Sequence, residues 1–273
     1  MSKSDPSSSK PQGGEFSALD KHGLYKAIYE RRDVRAQFID TTIPDEVLAR
    51  VLMAAHHAPS VGFMQPWNFI VVKSSPVKQQ ILDAFQGANE EAAQLFKAEK
   101  SNNESREQSY RALKLEGIIE APINLCITCD RDRVGPVALG RTAQPEMDLY
   151  SSVCAVQNLW LAARSEGLGV GWVSIIHKEA LHNILGIPEN IVPIAYLCMG
   201  YTSQFLDQPE LATKGWRQRL PLDELISFDR WKDSEHTSTT ELQTDNNKEE
   251  AGTDDQQNLL ELIKDMQKNQ TFY

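Results

Sequence analysis

The residues best able to do chemistry stand together in the stretch Arg31–Arg35, which reads RRDVR and holds three arginines and one aspartate. An arginine guanidinium presents a planar fork of N–H donors that matches phosphate oxygens in pairs. The stretch therefore indicates an anion site. Phosphate binding alone has no use for Asp33, because a carboxylate repels the anion. Either Asp33 pairs with a neighbouring arginine, or it faces another part of the same ligand and acts on it chemically.

A second candidate is the loop 58–67, with the sequence APSVGFMQPW. Its two prolines and its glycine predict a fixed conformation between a helix and a strand. Ser60 supplies a hydrogen-bonding group, Gly62 lets backbone approach a planar ligand, and Met64 adds apolar surface. By composition alone, an ordinary structured loop remains the alternative interpretation.

Two weaker candidates follow later in the chain. Residues 167–174, GLGVGWVS, space their glycines somewhat like a dinucleotide-binding loop, but they leave a predicted helix and enter a predicted strand. That fingerprint requires the opposite order, so we predict that the glycines cap the helix and allow close packing near a ligand. Arg217 and Arg219 are candidates to complete the anion site, although alone they fit a solvated charge pair better.

Metal and nucleophile chemistry are not indicated. Cys126 and Cys129 have C-x-x-C spacing, but residues three apart in a strand point to opposite faces. His56 and His57 are adjacent on a predicted helix and cannot share one face. We therefore predict no metal site, and no catalytic triad or P-loop is recognisable.

The elements that must position these residues alternate between helix and strand, which predicts an α+β fold with a central sheet of about four strands covered by helices. Tyr110–Ile119 is predicted to be helical and Trp172–Ile176 to be a strand. The predicted helix Met147–Glu166 is apolar on most faces and must be covered all round. In a chain of this size, we expect the sheet on one side and a second subunit on the other.

Composition divides the 273 residues into three parts: a disordered segment 1–15, one folded domain 16–231 and an acidic, largely disordered tail 232–273. The tail holds ten acidic and four basic residues, so it carries −6 of the net charge of −10. Within it, Leu259 to Met266 have helical spacing, which fits a transient helix or a weak docking element.

These numbers also exclude some function classes. The folded part is mildly acidic, which disfavours a nucleic-acid partner. No apolar run approaches the roughly 20 residues that a membrane span needs. The four cysteines lie in apolar sequence without a secretory leader, which predicts reduced thiols and a cytoplasmic protein.

In order and spacing, the stretches 31–35, 59–60 with 65–67, 167–172 and 217–221 together resemble the nitroreductase-like flavin fold over about residues 16–231. Five stretches also resemble its BluB-like branch, the family of 5,6-dimethylbenzimidazole synthases. The stretches are RRDVR at 31–35, HHAPSVGFMQPWNFIVV at 56–72, LKLEGI at 113–118, GRTAQPEMDLYSSVCAVQNLWLAAR at 140–164 and GLGVGWVSI at 167–175. The resemblance implies a central mixed sheet flanked by helices and a homodimer with FMN at the subunit interface.

The resemblance also implies roles for individual residues. Asp33 and Ser174 match the catalytic positions of the branch, whereas ordinary nitroreductases usually carry a small polar residue such as serine in place of Asp33. Leu115 matches a lid position over the flavin. The FMN-binding positions implied are Arg31, Arg32, Asp33, Val34, Arg35, Ser60, Gly62, Met64, Leu115 and Ser174, with Arg217 or Arg219 as an addition.

The implied reaction consumes reduced FMN as a substrate, with dioxygen as co-substrate. The flavin is broken into 5,6-dimethylbenzimidazole, the lower ligand of cobalamin, and erythrose 4-phosphate, and a separate flavin reductase supplies the FMNH2. Our hypothesis is that Asp33 is a base near the ribityl chain and that Ser174 hydrogen-bonds the ring or an oxygen adduct. Neighbouring arginines lower the pKa of Asp33 and burial raises it, and the sequence leaves open which prevails. The alternatives are an FMN-dependent NAD(P)H nitroreductase and a non-catalytic flavin-binding protein.

Overall fold

The computed structural model describes residues 14–98, 103–231 and 254–269, with the side chains of 103–105 and 254–255 left out. The predicted disorder of residues 1–13 and 232–253 therefore lies outside the described residues. The chain forms two compact units, residues 1–216 and 217–273. Among the described residues, no helix combines the length and the apolar character that crossing a bilayer requires.

The first unit alternates helices with four strands. Its helices are α1 (Ala18–Glu30), α2 (Asp45–His56), α3 (Ser75–Ala98), α4 (Asn103–Arg111), α5 (Met147–Ser165), α6 (Lys178–Leu185) and α7 (Glu210–Thr213). Its strands are β1 (Trp67–Val72), β2 (Ile123–Asp130), β3 (Leu168–Val173) and β4 (Ile191–Tyr201). In the second unit, the tail residues with helical spacing belong to α8 (Asp254–Asn269). Its Lys264 lies 3.6 Å from the Asp223 carboxylate.

The strands form one sheet in the order β1-β2-β4-β3, so β1 and β3 are its edges. The α+β class is confirmed, but the predicted mixed pairing is wrong for these strands, because all three neighbouring pairs are antiparallel. The parallel component is a single bridge between Asp33 and Val170 at the outer side of β3. The expectation of a mixed sheet came from the family resemblance. The helices between the strands do not require parallel pairing, because antiparallel partners also accept such connections.

The two faces of the sheet bury two separate apolar clusters. Leu125 and Leu197 belong to the cluster that packs against α2 and α5. Cys126 and Cys198, one residue further along each strand, belong to the cluster with α3 and α6. This alternation follows from the two-residue period of a strand, and it explains why every residue from 123 to 129 is buried.

The helix α5 spans the sheet and is covered on only part of its surface by its own chain. Ala155, Leu159 and Ala163 are fully buried, whereas Tyr150 and Val153 keep 56% and 41% of their surface exposed. The neighbouring helix α1 buries no residue at all. The covering of α5 by a second subunit stays a prediction.

Two local predictions are wrong. The predicted helix Tyr110–Ile119 ends at Arg111, and the residues after it follow an irregular course in which the Glu116 carboxylate accepts the Ile118 N–H. The predicted strand Trp172–Ile176 instead runs from Leu168 to Val173, so only the first glycine of the 167–171 run caps a helix, with φ +80°.

Candidate functional site

The stretch Arg31–Arg35 runs along the free edge of β3. The Val34 N–H donates to the Val170 carbonyl over 3.0 Å, and Val34 itself is buried. The approach requires the glycines of β3, because a Cβ at Gly171 would overlap the Val34 carbonyl oxygen and a Cβ at Gly169 would stand 2.8 Å from the Val34 side chain. The glycine run thus brings the arginine cluster onto the sheet.

The Asp33 carboxylate is held through both of its oxygens. Oδ1 accepts the Trp172 backbone N–H over 2.9 Å, and Oδ2 accepts a guanidinium N–H of Arg35. The Arg35 side chain is 10% exposed and that of Asp33 is 31% exposed. The first alternative posed by the sequence therefore applies, because Asp33 pairs with Arg35. The exposed part of the Asp33 side chain is compatible with the second alternative, a chemical role, which stays a prediction.

The protonation of Asp33 follows from its surroundings. Burial raises its pKa, whereas the Arg35 guanidinium, the Trp172 N–H and the more distant Arg31 lower it. Burial prevails, so the pKa of Asp33 lies above its ordinary value of 3.8. A carboxylate of raised pKa is a stronger base than a free aspartate.

The three arginines are placed differently. The Arg31 guanidinium lies 4.9 Å from the ring centroid of Trp160, a cation–π geometry. Arg32 donates to the Tyr29 carbonyl over 2.8 Å and to the Asp207 carbonyl, so it ties the end of α1 to a later loop. Arg35 keeps a buried Nε donor that has no partner among the described residues. Such a donor is suited to an anionic ligand.

Ser174 follows β3 directly and is exposed. It lies two residues beyond Trp172, whose N–H holds Asp33. Two residues of extended chain span about 6.6 Å. The end of β3 therefore places the Ser174 backbone near the strand residue that holds Asp33, and the catalytic roles of Asp33 and Ser174 stay predictions.

The loop 58–67 has a fixed conformation, as predicted. The Ser60 hydroxyl accepts the Gln65 N–H over 3.1 Å, Gly62 has φ +60°, and Met64 is buried. The end of the loop lines an open groove of about 510 Å³. Its lining residues are His56, Met64, Gln65, Trp67, Asn68, Phe69 and Arg133.

Within one chain these two halves of the predicted site lie apart. The loop leads into β1 at one edge of the sheet, and Asp33 lies outside β3 at the other. Along α5, Ser151 accepts the Val61 N–H, whereas Trp160 donates to the Arg32 carbonyl. Nine helical residues separate those contacts, which is about 14 Å along the axis. A single protomer therefore does not close one compact pocket from both halves.

Leu115 is partly buried against the core cluster with α3 and α6. Two residues on, a Cβ at Gly117 would stand 2.7 Å from both the Arg35 carbonyl oxygen and the Phe38 ring. The stretch that carries Leu115 is thus packed on the arginine cluster. Arg217 and Arg219 belong to the second unit, and their part in the site stays a prediction.

Sequence reasoning missed Trp160 and Trp172. Trp160 lies beneath Arg31 and donates its indole N–H to the Arg32 carbonyl over 3.4 Å, and the two indole rings lie 6.4 Å apart. The only sequence signal was the occurrence of large aromatics within an apolar helix and a glycine-rich strand. In the described ranges, no group of three or more His, Cys, Asp and Glu side chains is arranged to hold a metal ion.

The comparison with protein families decides the relationship. The protein-family model described as "Nitroreductase family" matches residues 28–201 of this chain. The chain belongs to the nitroreductase family. Its fold agrees with solved members, among them a nitroreductase family protein of Clostridium difficile 630. The TM-score is 0.55 and the identity 21%, over 76% of this chain and 98% of that one.

Relatives within the family support the predicted branch. A protein of Rhodospirillum rubrum named 5,6-dimethylbenzimidazole synthase is 39% identical over 209 residues, which cover 77% of this chain and 96% of that protein. A protein of the same name from Rhodobacter capsulatus is 33% identical, over 76% of this chain and 97% of its own length. An iodotyrosine deiodinase solved with FMN and 3-iodo-L-tyrosine has the same fold, with TM-score 0.57 and 20% identity over 76% of this chain and all of that one.

Proposed function

We propose that this protein is a 5,6-dimethylbenzimidazole synthase that uses dioxygen to fragment reduced FMN into 5,6-dimethylbenzimidazole, erythrose 4-phosphate and a fragment that carries the remaining pyrimidine atoms of the flavin ring. The observation that carries the proposal is the Asp33 carboxylate, fixed by Trp172 and Arg35 inside an arginine cluster. A site built only to hold a phosphate gains nothing from that carboxylate. Relatives that bear this name at 39% and 33% identity support the same reaction.

The residues present fit FMN. The buried Nε–H of Arg35 has no acceptor among the described residues and is free to donate to a ligand. Arg31 adds a second cation close by. Charge-assisted hydrogen bonds of this kind suit a phosphate or the polar edge of a flavin ring. Met64 lines the open groove at the end of the loop and adds apolar surface there for the planar ring system. FMN supplies the redox chemistry when bound, and the protein supplies orientation and a base.

Asp33 acts in this proposal as the base that removes a proton near the ribityl chain. Its raised pKa brings it closer to the working pH, where base catalysis is most effective. The Trp172 N–H and Arg35 hold the carboxylate in place, so it does not need to be oriented during the reaction. Ser174, exposed just beyond β3, donates a hydrogen bond to the ring or to oxygen bound there.

The complete site needs two copies of the chain. The Arg31–Arg35 half and the loop half lie apart within one protomer, and α1 together with part of α5 leaves apolar surface uncovered. In a two-fold dimer whose axis crosses α5 at a right angle, the two copies of α5 run antiparallel, which brings the loop of one protomer toward the arginines of the other. We further propose a cytoplasmic homodimer that receives FMNH2 from a separate flavin reductase and serves cobalamin synthesis.

The deciding experiment incubates the purified protein with chemically reduced FMN in air and identifies the products by chromatography and mass spectrometry. Stoichiometric loss of flavin with formation of 5,6-dimethylbenzimidazole is expected. Repeated NAD(P)H oxidation with intact FMN would instead identify a nitroreductase. Simple reoxidation to FMN would identify a flavin-binding protein. The Asp33→Asn variant is the matched control for non-enzymatic flavin breakdown.

A further inference from the structure

The segment 131–146, between β2 and α5, lies against the loop 58–67 and has no part in the function proposed so far; we name it the brace segment. A Cβ at Gly62 would stand 2.5 Å from the Leu139 carbonyl oxygen. In the opposite direction, a Cβ at Gly140 would overlap the Val61 side chain. Loop and brace segment therefore touch at two positions where only glycine fits.

The loop needs such support because its backbone is strained. Phe63 and Gln65 adopt φ values of +52° and +46°, a region that residues with side chains seldom occupy. Such conformations persist where the surrounding structure fixes them, and they concentrate at functional sites. Inside the loop, the Met64 N–H donates to the Val61 carbonyl over 3.3 Å and the Gln65 N–H to Ser60. These two hydrogen bonds are local and act within the loop alone.

The brace segment is anchored by a buried ionic cluster. Asp148 is 1% exposed, and its carboxylate lies 3.1 Å from Arg131 and 3.3 Å from Arg141. Arg131 also donates to the Pro145 carbonyl and Arg141 to the Arg131 carbonyl, each over 2.6 Å. A buried carboxylate with two cationic partners strongly resists rearrangement, because losing a partner leaves an uncompensated charge.

The anchor and the loop meet at the start of α5. Asp148 stands in the first turn of that helix, and Ser151, three residues later, accepts the Val61 N–H over 3.2 Å. The Ser151 hydroxyl in turn donates to the Met147 carbonyl. The ionic cluster, the brace segment and the loop therefore form one continuous chain of contacts.

We propose that the brace segment is a positioning element, in which Leu139 and Gly140, anchored through Arg131, Asp148 and Arg141, fix the loop conformation presented to the flavin. The identity of the ligand rests on the proposed function, whereas the control of the loop by the segment does not. Gly140 acts through Val61 and does not itself touch the flavin.

Gly140→Ala tests the proposal against a matched control in the same segment. Gly140 and Gly135 have similar φ values of +85° and +80°, so alanine strains both positions, but a Cβ at Gly135 meets no atom within 4 Å. Val61→Ala in the Gly140→Ala background should act as a suppressor. It removes the overlapping Cγ1 and leaves the Val61 Cβ at 3.6 Å, an ordinary contact.

Two measurements separate loop positioning from general stability: hydrogen exchange of the Val61, Met64 and Gln65 amides without ligand, and the FMN dissociation constant by fluorescence. For Gly140→Ala we expect faster exchange at these amides and about tenfold weaker FMN binding. Gly135→Ala should lower the melting temperature similarly and change neither measurement. The double variant should recover both.

Equal exchange and equal FMN affinity in the Gly140→Ala and Gly135→Ala variants would overturn the proposal. If Gly140→Ala does not fold, Arg141→Met replaces it. Arg50→Met is its control, because Arg50 lies on α2 and pairs with Glu166 just beyond the other end of α5. Faster hydrogen exchange of the loop amides in Arg141→Met, but not in Arg50→Met, supports the positioning role of the brace segment. Equal exchange in the two variants refutes it. Failure of the wild-type protein to consume FMNH2 would sink the proposed function, while loop exchange would still decide the role of the brace segment.

Discussion

The backbone N–H of Trp172 donates to the Asp33 carboxylate over 2.9 Å, which attaches the candidate base to the free edge of β3. An edge strand exposes N–H groups that need partners, and here a side chain takes the place of a neighbouring strand. Ser174 follows two residues later, just beyond the end of β3. The strand thus holds the proposed base and leads directly into the second residue proposed for catalysis, which suits a reaction that needs fixed geometry.

Asp33→Asn should abolish most product formation and keep FMN binding. The asparagine oxygen can still accept the Trp172 N–H, but the amide is not a base, so we expect a loss of about 10²- to 10⁴-fold in benzimidazole formation. Product is measured by chromatography and FMN affinity by fluorescence. Asp45→Asn, at a side chain that is 86% exposed, is the control. A rate near that of the wild type would exclude Asp33 as the base.

The raised pKa of Asp33 also predicts how the free energy of unfolding depends on pH. Native Asp33 holds its proton more tightly than the unfolded chain does, so its contribution is present below pH 3.8 and is lost as the pH rises through the native pKa. Asp33→Asn does not titrate. Its stability relative to the wild type should therefore improve as the pH rises across that window. Denaturant unfolding of both proteins without FMN measures the difference, and a pH-independent or opposite difference contradicts the raised pKa.

Arg31→Ala should weaken FMN binding. A hydrogen bond to a charged group contributes about 1.5–3 kcal/mol, which corresponds to roughly 10- to 150-fold in the dissociation constant. Arg50→Ala is the control, because that arginine pairs with Glu166 on the surface and its side chain is 58% exposed. FMN titration monitored by flavin fluorescence compares the two. Unchanged affinity in Arg31→Ala would remove this residue from the flavin site.

Local sequence patterns were sufficient for most of the fold. The long helix ending in Ser165 and the helix Lys178–Leu185 follow from apolar spacing, and the buried strand β2 follows from its continuous apolar run. The failures occurred where contacts distant in sequence decide the backbone. The glycines at 169 and 171 are strand residues because β3 pairs with β4, and their lack of side chains makes room for Val34, more than a hundred residues earlier.

The site was predictable in its residue types and less so in its geometry. The pairing of Asp33 with Arg35 follows from their spacing, but the Trp172 N–H that completes it comes from a strand far along the chain. Whether the pKa of Asp33 is raised or lowered depends on how deeply the side chain is buried, and composition does not give that burial. The same holds for the glycine contacts that seat the brace segment, since each involves a residue about 80 positions away.

A mixing experiment tests whether the site is shared between two protomers. Asp33→Asn disables the arginine half, and Gly62→Ala displaces the loop half, because a Cβ there would stand 2.5 Å from the Leu139 carbonyl oxygen. After the two inactive proteins are unfolded and refolded together in equal amounts, half of the dimers should be mixed. Each mixed dimer then carries one intact site, so about a quarter of wild-type product formation should return. The control mixes Asp33→Asn with Arg31→Ala, which lie in the same half and should not complement each other. Recovery no greater than the average of the separate variants would show that each protomer builds its site alone.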